Sequence, residues 1–281
     1  MKPTLLAALC AILCAGPTLA LAQDEDDWEF QHEASLNQTV AAVRYDAGVA
    51  IVLQCRDNAL SAALVGMPAG VGGIEVQARR ADGRTDLQTW VPGPQPGVML
   101  STVPARDIRF MRGGGLYSVR TVDGAPRALR TNFDLPTQSA NLDRVLTACG
   151  WALTDDRDQL ARAGSEVSFR DPAAPPPRLP QPRRGRGARP GMPDAPEAPP
   201  PGVPVPEPAE SQISCVLRAM RLTLCRLDHP PTAAGNEARR SLRRLEGVQM
   251  YAADAAAAEG KVVYTAGPRT VTVIDYIAVG R

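Results

Sequence analysis

At 281 residues the chain has room for two modest domains and a connector. Its 31 basic and 30 acidic residues leave a formal net charge of +1, which excludes a globally cationic nucleic-acid binder. Aromatic residues make up only 4% while prolines number 27, a balance that suits compact β-rich modules joined by chain that does not fold.

The N-terminus sets the compartment. Lys2 supplies a short positive start, Leu5 to Leu21 is almost entirely apolar or small, and Ala20-Leu21-Ala22 precedes an acidic run from Asp24 to Asp27. That pattern is a secretory signal over residues 1–22, cleaved after Ala22. A retained anchor is the alternative, but the run is short and Pro17 interrupts it. A lipoprotein signal fits less well still, since neither Cys10 nor Cys14 has a leucine three residues before it. No further stretch is apolar enough to span a membrane, so no retained span is expected. Removal of the signal leaves Cys55, Cys149, Cys215 and Cys225, an even number in an exported chain. Four cysteines allow three pairings, and the connector divides them two and two, favouring Cys55–Cys149 and Cys215–Cys225. Zinc is not expected, because no cysteine pair has knuckle spacing and His32 and His229 are the only histidines. No cofactor is expected either.

Residues 28–169 read as a β-rich module. Val40, Val43 and Tyr45 lead to a turn at Asp46-Ala47-Gly48, and Val49 to Cys55, nearly all apolar, reads as a buried central strand. Turn chemistry at Arg56-Asp57-Asn58 precedes a strand from Leu60 to Val65. Further strands are expected at Ile74–Gln77, Leu87–Val91, Val98–Val103, Ile108–Met111 and Leu116–Val122, with Asp82-Gly83 and Asp123-Gly124 as turns. Strands at this spacing predict an antiparallel sandwich or small barrel. One helix closes the module: Ser139 is a candidate N-cap, Leu142, Val145, Leu146 and Cys149 recur at helical spacing, and Gly150 ends it. Cys149 in its last turn is well placed to be joined to Cys55.

Candidates for chemistry in this module are thin. His32 has no nucleophile beside it in any motif. Asp155-Asp156-Arg157-Asp158 clusters carboxylates without the alternating ligands and glycine of a cation loop, and reads as a solvated turn. Gly113-Gly114-Gly115 lacks the Lys-Ser/Thr and following helix of a phosphate loop. Trp90 and Trp151 read as core or rim residues. The strand Ile51-Val52-Leu53-Gln54-Cys55 with the later Phe133, Leu135, Pro136, Leu142, Leu146, Cys149 and Gly150 resembles uncharacterised periplasmic proteins of proteobacteria near the invasion-associated family. The resemblance implies a location rather than an activity.

Residues 172–210 form a proline-dense tether. Runs such as Pro175–Pro177 and Pro199–Pro201 can join neither a helix nor a sheet ladder, and little in the segment could fill a core. Fully extended, it would reach on the order of 100 Å. It reads as a passive spacer, with a reach-across device or a proline-rich ligand as alternatives. Its basic half (Arg178, Arg183, Arg184, Arg186 and Arg189) keeps it soluble or attracts an anionic envelope surface.

Residues 211–281 predict a small antiparallel sheet backed by one helix, in the order β-β-α-β-β. Ile213–Leu217 and Leu222–Leu227 flank a turn near Met220, which places Cys215 opposite Cys225. Ala238, Leu242 and Leu245 mark one helix face, Arg239, Arg240, Arg243 and Arg244 the other, and Gly247 ends it. Lys261–Thr265 and the β-branched Thr270–Ile277 complete the set. The hairpin C-V-L-R-A-M-R-L-T-L-C-R-L, the His229-Pro230-Pro231 corner, the helix G-N-E-A-R-R-S-L-R-R-L and E-G-K-V-V before the last strand resemble the C-terminal domain of TonB-family energy transducers. The chain departs from that family in its cleavable signal, its intervening β-module and its missing Tyr-Pro entry segment. The resemblance implies that Thr270, Val271, Thr272, Val273, Ile274, Asp275 and Tyr276 bind a protein partner by strand addition.

The sequence therefore reads as α+β: a mainly antiparallel sandwich or barrel with one terminal helix, a disordered linker and a ββαββ C-terminal domain. The function expected is that of a non-enzymatic periplasmic protein of a Gram-negative envelope, binding an envelope protein and no nucleic acid. The alternatives are a hydrolase acting on an envelope polymer and a purely structural stabiliser.

Overall fold

The computed structural model describes residues 26–68, 73–123, 128–169, 212–228, 239 and 242–265. The signal segment, the 172–210 tether, the His229–Pro231 corner and the Thr270–Tyr276 strand lie outside the described residues.

The central strand is where the apolar run places it. In β3 (Ala50–Arg56) the first six residues are all buried, as expected of a strand covered on both faces. It lies between β2 (Gln38–Arg44) and β4 (Ala59–Val65), with β1 (Glu29–Glu33) outside β2. The Asp57-Asn58 turn joins β3 to β4 with positive φ at both residues, the geometry a two-residue hairpin demands. The remaining strands are β5 (Ile74–Arg80), β6 (Thr85–Pro92), β7 (Val98–Ser101), β8 (Gly115–Thr121) and β9 (Arg130–Leu135).

All nine belong to one antiparallel sheet in the order β1-β2-β3-β4-β7-β6-β5-β8-β9. The architecture is mostly antiparallel β with helices, but the expected sandwich or barrel is replaced by this single sheet. A second sheet is not needed to bury its inner face, because two helices do so. Ala105, Ile108 and Met111 of α1 (Pro104–Met111) and Leu142, Val145 and Leu146 of α2 (Ala140–Ala148) share one core with Ile51, Leu53, Leu64, Trp90, Tyr117 and Phe133. Each buried Leu, Ile, Val, Met or Phe among these contributes about 1.5–3 kcal/mol of transfer free energy.

Helix α1 corrects the strand expected at Ile108–Met111. Pro104 occupies its first turn, where a missing N–H costs nothing. Helix α2 forms where its periodicity places it and ends at Gly150, at φ 70°. Ser139 occupies the N-cap position, but its hydroxyl makes no cap bond and instead accepts from the Gly113 N–H. Gly114 requires glycine on two grounds: φ is 66°, and a Cβ there would overlap the Thr137 backbone.

The C-terminal body is built on β11 (Ile213–Arg218) and β12 (Arg221–Leu227), joined at Ala219-Met220 with positive φ at both. Strand β14 (Val262–Thr265) pairs with the other side of β11, giving the order β12-β11-β14. A helical turn α3 at residues 242–245 brings Leu242 and Leu245 onto the cluster of Ile213, Cys215, Leu217 and Leu222, while Arg243 and Arg244 face solvent. Helix α4 (Ala255–Ala258) starts at Asp254, whose carboxylate accepts from the Ala257 N–H. The same cluster takes in Ala163 and Val167 from ahead of the tether. There β10 (Val167–Ser168) pairs with β13 (Tyr251–Ala252).

Candidate functional site

The sequence expects two bodies held apart by the tether, yet the described residues place them in contact through a network of buried arginines. Arg106, on α1, is its hub. Its Nε and Nη2 make a forked pair with Asp86 on β6 at 2.9 and 2.8 Å, both side chains being buried. Its remaining donors reach the carbonyls of Arg157 (2.9 Å) and Leu160 (2.8 Å) and the Tyr264 hydroxyl on β14 (3.2 Å). Burial opposes the charge on Arg106, but the Asp86 pair outweighs it and holds the guanidinium firmly protonated. The Tyr264 ring lies over both Arg106 and Arg162, 5.7 and 5.6 Å from its centroid, and burial pushes its hydroxyl up to about 12.

Residues 155–158 complete the junction, and here the solvated-turn expectation fails. Asp158 receives Arg109 Nε and Nη2 at 2.5 and 2.9 Å, and Asp155 accepts from Arg226 of β12, whose Nη1 reaches Asp156 at 2.7 Å. Arg157 points the other way and donates to the Ser214 carbonyl and hydroxyl and to the Leu224 carbonyl. Beyond it, Arg162 bonds Thr102 at 2.8 Å and lies 3.6 Å from Asp107, which is fully buried at the start of α1. Burial pushes Asp107 up to about 7, against the pull of Arg162, while the Ser101 hydroxyl donates to its other oxygen at 2.5 Å.

Both expected cysteine pairs are joined. Cys55 and Cys149 link the central strand to the end of α2 with Cα atoms 5.5 Å apart, and Cys215–Cys225 clamps the hairpin at 4.1 Å. The register slips between Ser214 and Val216, which leaves Leu224 as a bulge at φ 50° immediately beside Cys225. His32 bonds Thr39 at 2.9 Å, Trp90 is fully buried with its N–H near Gln88, and Trp151 packs on the core margin. The expected partner-binding residues Thr270–Tyr276 lie outside the described residues. Among those described, no three His, Cys, Asp or Glu side chains converge on a metal site. No described helix is long and apolar enough to cross a membrane.

For a protein expected to bind by strand addition, the state of each sheet edge matters. The outer edge of β14 is taken in part by residues ahead of the tether: Val262 donates to the Ala161 carbonyl at 2.8 Å and accepts from the Ala163 N–H at 2.9 Å. The edge of β12 meets Val248 and Gly247 at Leu222, and the Glu246 carboxylate accepts from the Leu224 and Cys225 N–H groups. The edge of β1 carries Glu29 and Glu33. Strand β9 borders a groove of about 720 Å³, between Thr131–Phe133 on one side and Arg44–Asp46 with Val49 on the other. Across this seam the Tyr45 hydroxyl donates to the Asp134 carbonyl at 3.0 Å. No strand is expected from the sequence at β9, whose apolar positions are only Phe133 and Leu135. No protein-family model, curated protein or solved structure matches the chain.

Proposed function

We propose that this is an exported, non-enzymatic periplasmic protein of a Gram-negative envelope, whose C-terminal module takes up an extended segment of an envelope protein by strand addition. The observation that carries this reading is the edge of β14, where Val262 already holds extended backbone on both its N–H and its carbonyl. Thr270–Tyr276, β-branched and alternating, is the segment through which the partner would add. The tether's arginine-rich half favours an anionic envelope surface. Export is supported by the signal pattern and by two disulfides, each within one module. The non-enzymatic reading is supported by how the conspicuous carboxylates are used, since Asp86, Asp155 and Asp158 are each held by arginine.

The test is photo-crosslinking in intact cells from residues 272 and 274, with Val273→Pro as the control. The expected result is one protein adduct from both positions that Val273→Pro abolishes, since proline removes a ladder donor. Adducts indifferent to the proline, or none at either position, would overturn strand addition here.

A further inference from the structure

We propose that strand β9 is a second pairing edge, and that it accepts β9 of another copy of this chain in antiparallel register centred on Asn132. The proposal is independent of the C-terminal module and of any partner bound there.

The first argument is the direction of the backbone. Thr121 donates to the Leu129 carbonyl, while Leu116 and Val122 bond across to the β5 side. By strand alternation, the odd-numbered residues of β8 serve β9, so Thr131, Phe133 and Leu135 spend their backbone groups on β8. Arg130, Asn132 and Asp134 therefore direct theirs outward, as the Tyr45 bond to the Asp134 carbonyl independently requires. These three residues are also the exposed ones on the strand. Strand β9 has no proline and no bulge, its register with β8 is unbroken over six residues, and of its outward backbone groups Tyr45 takes only the Asp134 carbonyl. The groove beside it, walled on its far side by Arg44–Asp46 and Val49, borders the strand at Thr131–Phe133.

The second argument is self-complementarity. An isologous contact requires that a strand match its own reverse. With Asn132 on the two-fold axis, Arg130 falls opposite Asp134 of the second copy, and Asp134 opposite Arg130, so two opposite-charge pairs form on the exposed face. On the other face Thr131 meets Phe133 of the second copy. The Asp134 carbonyl keeps one lone pair for the incoming N–H after accepting from Tyr45. Within one copy, by contrast, Arg130 sits directly across from Arg120 on β8, a like-charge pair, and makes no ion pair with any described residue. A second copy supplies the missing carboxylate.

Sedimentation of the full exported chain over a concentration series, with amide exchange at Asn132 read in parallel, tests this. The expected result is a concentration-dependent dimer in which the Asn132 N–H becomes protected as the dimer fills. Arg130→Asp and Asp134→Arg should each weaken it about tenfold, and the double variant should restore it. Arg130→Asp also gives Arg120 an acidic neighbour, so its loss of dimer could not be put down to misfolding. Asn132→Pro should abolish dimerisation while leaving the bonds to β8 in place. A chain that stays monomeric up to its solubility limit overturns the proposal. So does a dimer indifferent to all four variants, or one that leaves Asn132 unprotected, including a chain that takes up foreign peptide along β9 without self-pairing.

Discussion

Arg157 donates its guanidinium hydrogens to both the carbonyl and the hydroxyl of Ser214, a residue 57 positions further along the chain. Burial pushes its pKa down, and no described carboxylate forms an ion pair with it. What holds it is a set of oxygens on β11 and β12, so the contact works as a keyed fit.

Replacing Arg157 with Met should therefore be costly even though the volume is kept. The Ser214 carbonyl and hydroxyl would lose their donor in a dry site, at about 1–3 kcal/mol for each unsatisfied group, and the Leu224 carbonyl would lose its donor too. Denaturant unfolding of Arg157→Met should show a loss of about 3 kcal/mol or more, and limited proteolysis should cut the C-terminal hairpin sooner than in wild type.

Asp107 makes stability depend on pH in the direction opposite to most carboxylates. Its folded pKa of about 7 lies above its ordinary 3.8, so between these values the folded chain binds more protons than the unfolded one. Its contribution is then present in acid and is lost as pH rises toward 7. Asp86, Arg106 and Arg162 act on the same site. Urea unfolding of wild type and Asp107→Asn at pH 5 and pH 8 should show wild type losing ground to the variant on going to pH 8. An equal difference at both would refute the assignment.

The two disulfides should contribute unequally. The Cys55–Cys149 bridge closes a loop of sequence separation 94 and the Cys215–Cys225 bridge one of 10, worth about 4–5 and about 3 kcal/mol in the chain-entropy model. Cys55→Ala with Cys149→Ala should lower the denaturation midpoint of the N-terminal module, read by its tryptophans, more than Cys215→Ala with Cys225→Ala lowers that of the hairpin.

Leu224 stands in the left-handed region at φ 50° and is 55% exposed. A left-handed leucine costs about 1–2 kcal/mol relative to glycine, part of which the entropy of a glycine in the unfolded chain takes back. Leu224→Gly should raise stability by about 0.5 kcal/mol or more in denaturant titration, provided that the disulfide is intact.

The parts legible in sequence were those written in local periodicity. The all-apolar Ile51–Leu53 run, the Leu142–Cys149 helix and the Cys215–Cys225 hairpin each carry their signal within a dozen residues. Helix α1 did not, because Ile108, Phe110 and Met111 fit a strand as well, and nothing local marks Arg106 and Arg109 as buried. Their partners, Asp86 and Asp158, lie 20 and 49 positions away, beyond any window that reads periodicity. The same distance hid the junction: Asp155–Asp158 resembles any polar turn until Arg226 is brought alongside. Strand order is likewise silent in alternation, which cannot tell that β4 neighbours β7 or that β5 neighbours β8.

The contacts ahead of the tether bear on how the chain can be cut. A recombinant piece starting at residue 211 would leave behind Ala161–Ala163, which lie along β14, the β10 partner of β13, and the Arg157 key, exposing apolar Ala163 and Val167 contacts in the cluster around Cys215. The truncation would be expected to aggregate or open its edge to spurious partners. Any binding attributed to the C-terminal module should thus be measured on the entire polypeptide, where that edge is already dressed.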